Sequence, residues 1–236
     1  MRVRTVSLVA AVILGLVGTT TTAAVAIGAG STGSAIFARA LTASEDAASL
    51  TLKASLINAT TSYVLDISIS KSGNGFGFIK HDGGTIDLVR LGRTVYFKAT
   101  RTFWIKSASA SAAALFAGKW VSGPATASTL KHVGAYFDVR SILDQLFGKT
   151  EARHLAKIGT TTFMGRRVAI LRNHKATGGS TIYVGTHAPY FLYRIMKKGG
   201  SSHGSVTLFN YDKPVRPAKP KGSITLLKLA SGSGKS

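Results

Sequence analysis

From Leu50 onward the chain repeats with a period of two. Leu50, Leu52, Ala54 and Leu56 alternate with Thr51, Lys53 and Ser55, and Tyr63, Leu65, Ile67 and Ile69 alternate with Ser62, Asp66 and Ser68. Successive side chains of a strand point to opposite faces, so this alternation predicts strands with one buried face. Gly73-Asn74-Gly75 is a turn signal, and Phe76 to His81 continues as a strand up to a second turn at Asp82-Gly83-Gly84. Thr85 to Leu91 and Thr94 to Ala99 follow as a pair closed by the two-residue turn Gly92-Arg93. Together these segments read as an antiparallel meander of about five strands.

Helical spacing flanks the meander. Ala35 to Ala48 places Ile36, Phe37, Ala40 and Leu41 on one face, and Phe103 to Phe116 is rich in Ala and Ser. Between Leu130 and Phe147, the residues Val133, Phe137, Ile142, Leu143, Leu146 and Phe147 recur at helical intervals. Gly118 and Gly148 end these two later segments, with Pro124 in the connection between them. From His154 the two-residue period returns, with strands expected up to Met164 and over Val168–Arg172, Thr181–Gly185, Tyr190–Met196 and Ser205–Tyr211. Strands, then helices, then strands predict an α+β domain: one antiparallel sheet with the helical insertion packed over one face. Such an arrangement leaves an apolar crevice between the two layers.

The ends have a different character. Arg2 and Arg4 precede an apolar stretch from Ser7 to Gly18, short of the roughly 20 residues a membrane-spanning helix needs. The threonine run Thr19 to Thr22 and the small-residue pattern Ala24-Val25-Ala26 follow, so Met1–Ala26 reads as an export signal with a cleavage site. The expected organisation is a signal peptide over residues 1–26, a linker over 27–34, a domain over 35–217 and a basic flexible tail over 218–236. The tail region, beyond Lys213, is punctuated by Pro214, Pro217 and Pro220 and reads as edge-like or mobile.

Composition narrows the chemistry. Hydrophobic residues make up 45% of the chain, enough for a sizeable core, and there is no cysteine. Disulfides, thiolate catalysis, cysteine-bound metal and a lipid anchor on an N-terminal cysteine are therefore all excluded. Lys and Arg total 30 against 9 Asp and Glu, a formal charge of +21. That imbalance attracts polyanions. For an exported chain these are anionic membrane surfaces or cell-wall polymers rather than nucleic acid.

Four local patterns match reactive or modification signatures, and each lacks its context. Gly28, Gly30 and Gly33 fit dinucleotide spacing but follow the export segment rather than a strand. Gly200-Ser201-Ser202-His203-Gly204 fits a nucleophile elbow, but a strand pattern follows it where a helix is required. Gly234-Lys235-Ser236 lacks the upstream glycine of a phosphate loop, whose place is held by Leu229. Asn58-Ala59-Thr60 is a glycosylation triplet of the kind that arises by chance. The six histidines show no ligand pairing, and only His81-Asp82 sets a carboxylate beside an imidazole. No enzyme, metal or cofactor is expected from these residues.

Further segments carry a resemblance. Gly92 to Ala99 followed by Phe103-Trp104, Gly118-Lys119-Trp120-Val121 and Gly159 to Val168 recur in characteristic order. Gly179 to Val184, Pro189 to Ile195 and Phe209-Asn210-Tyr211-Asp212 continue it. In that order the chain resembles the LolA-like superfamily, in particular the actinobacterial LppX/LprA/LprF/LprG-type envelope lipoproteins, over roughly Ala35 to Pro217. The missing lipobox cysteine departs from the tethered members. The resemblance implies a curved antiparallel half-barrel sheet wrapped around a few helices. Its apolar cavity would receive the acyl chains of a lipid or lipidated partner for transport or presentation in the envelope. Candidate lining residues are the inward-facing Leu65, Ile67, Phe76, Phe78, Leu88, Val95 and Phe97 of the strands, with Phe116, Leu143 and Phe147 from the helices. Trp104 and Trp120 flank the first of the two later helical segments, at the cavity mouth or as helix anchors. The protein would act as an exported monomer, extracellular or envelope-associated, either released by signal cleavage or held by an uncleaved signal anchor running on through Ala23 to Ala29. The competing expectation is a non-enzymatic envelope protein that binds anionic wall polymers or the membrane surface through a basic face. A hydrolase built on Ser202 and His203 is the third.

Overall fold

A computed structural model describes residues 32–58, 61–127, 130–143, 154–173, 179–199 and 202–226. The export segment over residues 1–26, most of the 27–34 linker, Phe147 and the last ten residues lie outside the described residues. So do Gly200 and Ser201 of the elbow-like pentapeptide.

Helix α1 (Gly33–Asp46) begins where Thr32 Oγ1 accepts the Ala35 amide at 3.3 Å, and it buries Phe37, Ala40 and Ser44 along one stripe. The meander follows as expected: β1 (Ser49–Asn58), β2 (Thr61–Ser70), β3 (Gly75–His81), β4 (Gly84–Leu91) and β5 (Thr94–Ala99), each antiparallel to the next. Then come α2 (Arg101–Ser107), α3 (Ala110–Phe116), β6 (Trp120–Pro124), α4 (Lys131–Ala135) and α5, helical over the described residues 139–143. The second run of strands is β7 (Leu155–Phe163), β8 (Arg166–Asn173), β9 (Ser180–Gly185), β10 (Leu192–Lys197), β11 (Ser202–Phe209) and β12 (Ile224–Thr225). All twelve join one sheet in the order β12-β6-β5-β4-β3-β2-β1-β11-β10-β9-β8-β7. The sheet is curved and unclosed, with β7 and β12 at its edges, so the chain has the expected α+β half-barrel.

Three elements differ from the sequence expectation. The Ala/Ser-rich helix over Phe103–Phe116 is two helices, because Ser109 Oγ accepts the Ala112 amide at 3.0 Å and starts α3 afresh. The helical spacing over Leu130–Phe147 is interrupted after α4, where Asp138 Oδ1 accepts the Ser141 amide at 2.9 Å and caps α5. Between the helices, Trp120–Pro124 is a strand rather than a connection. It pairs antiparallel with β5, and β12, the only parallel neighbour among the described strands, joins its other side. The sheet therefore incorporates chain beyond Pro217.

A polar node holds the centre of the fold. Ser44 Oγ of α1 accepts the Leu192 amide at 3.0 Å and lies 3.1 Å from the Tyr211 hydroxyl, which also donates to the Leu192 carbonyl. The Tyr211 ring stacks on Phe191 at 3.9 Å and meets Tyr193 edge-on at 5.9 Å. Helix, strand and the chain leaving β11 are thus tied through one hydroxyl. Burial pushes the Tyr211 phenol well above the ordinary tyrosine value of 10.0. Its folded form holds the proton where the unfolded chain releases it, so the native state loses stability as pH rises above that value. Tyr211→Phe is expected to cost about 1–2 kcal/mol in urea unfolding at neutral pH, because Ser44 and Leu192 lose a partner. The variant should also lose less stability than the parent between about pH 9 and about pH 11.

Candidate functional site

Register decides what the sheet offers on each face. Leu208, Leu52, Ile67, Gly77, Leu88, Phe97 and Val121 form one continuous row across β11, β1, β2, β3, β4, β5 and β6. Every side chain in it except that of glycine is buried in the main core. Shifted by one residue, the row on the opposite face reads Thr207, Lys53, Asp66, Phe78, Asp87, Lys98 and Trp120. A one-residue offset exchanges an apolar wall for a charged and aromatic one.

This register corrects two expected lining residues. Phe76 pairs with Ser68 and Val89, and Phe78 with Asp66 and Asp87, so both point away from the helices. Phe76 is 43% exposed. The inner positions of β3 are Gly75, Gly77 and Ile79. With Val89, Trp120 and the two aspartates, the two phenylalanines line an outer groove of about 360 Å³. Its carboxylates are held by lysines, Asp66 by Lys53 at 3.0 Å and Asp87 by Lys98 at 2.9 Å. Lys98 also lies over the Trp120 ring at 5.2 Å.

The other expected lining residues that the structure describes lie within or against the apolar layer between sheet and helices. Ile67, Leu88, Val95, Phe97 and Leu143 are buried in one cluster, and Leu65 and Phe116 are half-buried against it. Glycine lets the helical layer press onto the strands: a Cβ on Gly75 would lie 2.5 Å from the Ser68 carbonyl oxygen and 2.7 Å from the Phe137 ring. At the rim the Arg90 guanidinium donates from Nη1 to the Gly134 carbonyl of α4 at 3.3 Å and from Nε to the Gly92 carbonyl at 3.2 Å. Burial raises the pKa of Tyr136, beside α4.

Sequence reasoning missed one feature inside this layer. Trp104 of α2 sits among Phe97, Phe103 and Phe116 with ring centroids 5.3–5.5 Å away. It is 8% exposed, and its indole N–H has no acceptor among the described residues. A buried donor without an acceptor costs about 1–3 kcal/mol. The box is apolar except for that one donor. The sequence offered this position as the cavity mouth or as a helix anchor, since a tryptophan in an alanine-rich segment says nothing of where its nitrogen points.

Reactive chemistry has little support nearby. His81 Nε2 lies 3.8 Å from Asp82 Oδ2, and its ring stacks on Tyr63 at 4.1 Å. His203 is an exposed residue of β11 opposite Ile57, with strand rather than helix after it. Among the described residues no three His, Asp or Glu side chains gather as a metal site. Nor, among them, is any helix long and apolar enough to cross a membrane.

Comparison with known proteins places the fold. No family model matches the sequence, and no curated protein matches it. Among solved structures, LprF from Mycobacterium bovis superposes with a TM-score of 0.54 at 16% identity, over 80% of this chain and 97% of that one. The lipoprotein LppX from Mycobacterium tuberculosis superposes with a TM-score of 0.51 at 11% identity, over 79% of this chain and 98% of that one. The chain has the LppX/LprF-type fold.

The contact between the layers is open to test by glycine replacement. Gly75→Ala is expected to lower stability by about 1–3 kcal/mol in urea unfolding, since neither the Ser68 backbone nor the buried Phe137 ring can move freely. Gly159→Ala, on edge strand β7 with nothing within 4 Å of the added carbon, is expected to change it by less than about 0.5 kcal/mol.

Proposed function

We propose that this protein shelters acyl chains of a lipid or lipidated molecule between the inner face of its half-barrel and the helices that cover it. On this reading it is exported and acts as a non-enzymatic carrier in the cell envelope. The observation that carries the reading is the construction of the apolar layer. Beyond α1, which packs on β7 to β10, the helical cover includes α2, α3 and α4, none longer than seven residues. Short helices have few backbone hydrogen bonds of their own and depend on packing for their order. Such a cover separates from an apolar wall at lower cost than a long helix would. The likeness in fold to LppX and LprF supports the same reading.

The driving force is solvation of hydrocarbon. Each methylene moved from water into an apolar site contributes about 0.8 kcal/mol, so a sixteen-carbon chain could gain about 10 kcal/mol before ordering and association costs. Leu65, Ile67, Leu88, Val95 and Phe97 would form the wall and Phe116 and Leu143 the cover. The indole N–H of Trp104, which has no acceptor among the described residues, would donate to an ester or carboxyl oxygen of the guest.

The chain has two tryptophans, one on each face of the sheet: Trp104 among the helices and Trp120 in the outer groove. Brominated acyl chains quench indole emission on contact. Dibromostearate is therefore expected to quench a Trp120→Phe protein saturably and to leave a Trp104→Phe protein unquenched. Quenching of Trp120 alone would place the acyl chain on the outer groove and overturn the proposal, as would no saturable quenching of either.

A further inference from the structure

Past β11 the chain reads Lys213-Pro214-Val215-Arg216-Pro217-Ala218-Lys219-Pro220-Lys221, in which a cation followed by proline recurs every three residues. Lys213, Arg216 and Lys219 each precede a proline, and a residue before proline is driven by steric clash into the extended or polyproline region. Each proline fixes its own φ near −65°. Steric rules therefore dictate the backbone of six of the eight residues over 213–220, and no residue of that run has positive φ. The run carries no helix or strand hydrogen bonding, as expected of polyproline II, which completes a turn every three residues. The three cations consequently share one edge, spaced about 9 Å apart at a rise of about 3.1 Å per residue.

Both ends of the ribbon are fixed. At its start Ser49 Oγ donates to the Lys213 carbonyl at 2.5 Å, and Asp212 Oδ1 accepts the Ala48 amide at 2.7 Å. At its far end β12 pairs with β6. The two anchor points are six strand positions apart along the curved sheet, and the strap from Lys213 to Pro220 crosses that span without helix or strand pairing before the turn at Lys221-Gly222.

What the strap presents is charge. Lys213, Arg216, Lys219 and Lys221 are all exposed, and none of them makes an ion pair with a described carboxylate, while Val215, Pro217 and Pro220 are half-buried. A stiff line of unpaired cations loses little conformational freedom on meeting an anionic surface, in contrast to a flexible lysine-rich tail. Lipid head groups diffuse laterally, so a bilayer can bring an anion to each cation whatever their spacing. A covalent polymer would need a matching repeat.

We infer that this strap docks the protein on an anionic phospholipid bilayer through Lys213, Arg216, Lys219 and Lys221. The docking is independent of whether acyl chains occupy the interior, because it rests on exposed cations and not on the apolar layer.

The test compares two variants of equal charge in the full chain, so that residues 1–31 contribute identically to each. One is K213Q/R216Q/K219Q/K221Q. The other, K157Q/R167Q/R172Q/K198Q, removes four exposed cations elsewhere. Co-sedimentation with phosphatidylcholine vesicles containing phosphatidylglycerol reads the partition coefficient at low salt. A cation near an anionic surface is worth about fivefold in partition, so the strap variant is expected to lose several hundredfold. The control variant should lose less than about tenfold through the weaker long-range field, a loss that disappears at physiological salt. Single Arg216→Gln and Lys219→Gln substitutions, each about fivefold weaker, keep the test valid if the quadruple variant folds poorly. Equal losses in the two quadruple variants, or no loss in the strap variant, would overturn the inference. So would equal binding to vesicles of phosphatidylcholine alone, or retention by soluble polyphosphate in place of the acidic vesicles. Dibromostearate quenching of the strap variant reports the interior separately, so failure of one proposal leaves the other standing.

Discussion

An open twelve-stranded sheet with one apolar face cannot stand alone in water, and the molecule is organised by the need to cover that face. The cross-strand row from Leu208 to Val121 runs unbroken through seven strands and is fully apolar. Among the described residues no single helix is long enough to span it. The chain meets this need in two ways: α1 lies on the strands β7 to β10, and a broken series of short helices covers the meander. The first is a firm packing arrangement. The second is the part of the fold where a guest could take the place of side-chain contacts.

The two halves are joined at Tyr211, where one hydroxyl ties α1 to β10 and starts the strap that ends at the opposite edge. The strap also serves the sheet. It delivers β12 onto the outer side of β6, whose backbone groups would otherwise be an open edge, and Pro124 closes the end of that strand. Edge protection and display of cations are thus two consequences of the same extended segment.

Much of this was legible in the sequence. Strands β1 to β5 and β7 to β11 follow from alternation and turn residues alone, and the order of elements carried the likeness to the LppX/LprF-type fold. The failures have particular causes. Alternation tells which residues share a face but not which face is inside. In β3 the inner positions are Gly75 and Gly77, so the aromatic side chains of Phe76 and Phe78 look like core when they are the outer wall. Pairing β3 with β2, whose inner residues Ile67 and Ile69 face those glycines, would have corrected this. The break between α2 and α3 was hidden because a serine cap, not glycine or proline, makes it. β6 was hidden because Gly123-Pro124 reads as a turn, although a short edge-proximal strand tolerates both. The unpartnered nitrogen of Trp104 leaves no trace in sequence.

The central claim is that the space between sheet and helices holds hydrocarbon. Native mass spectrometry of the protein purified from an actinobacterial host, before and after organic extraction, addresses it most directly. A stoichiometric adduct that extraction removes, identified as an acyl lipid or lipidated molecule, is the expected result. A clean polypeptide mass that stays unchanged after incubation with envelope lipids would contradict it.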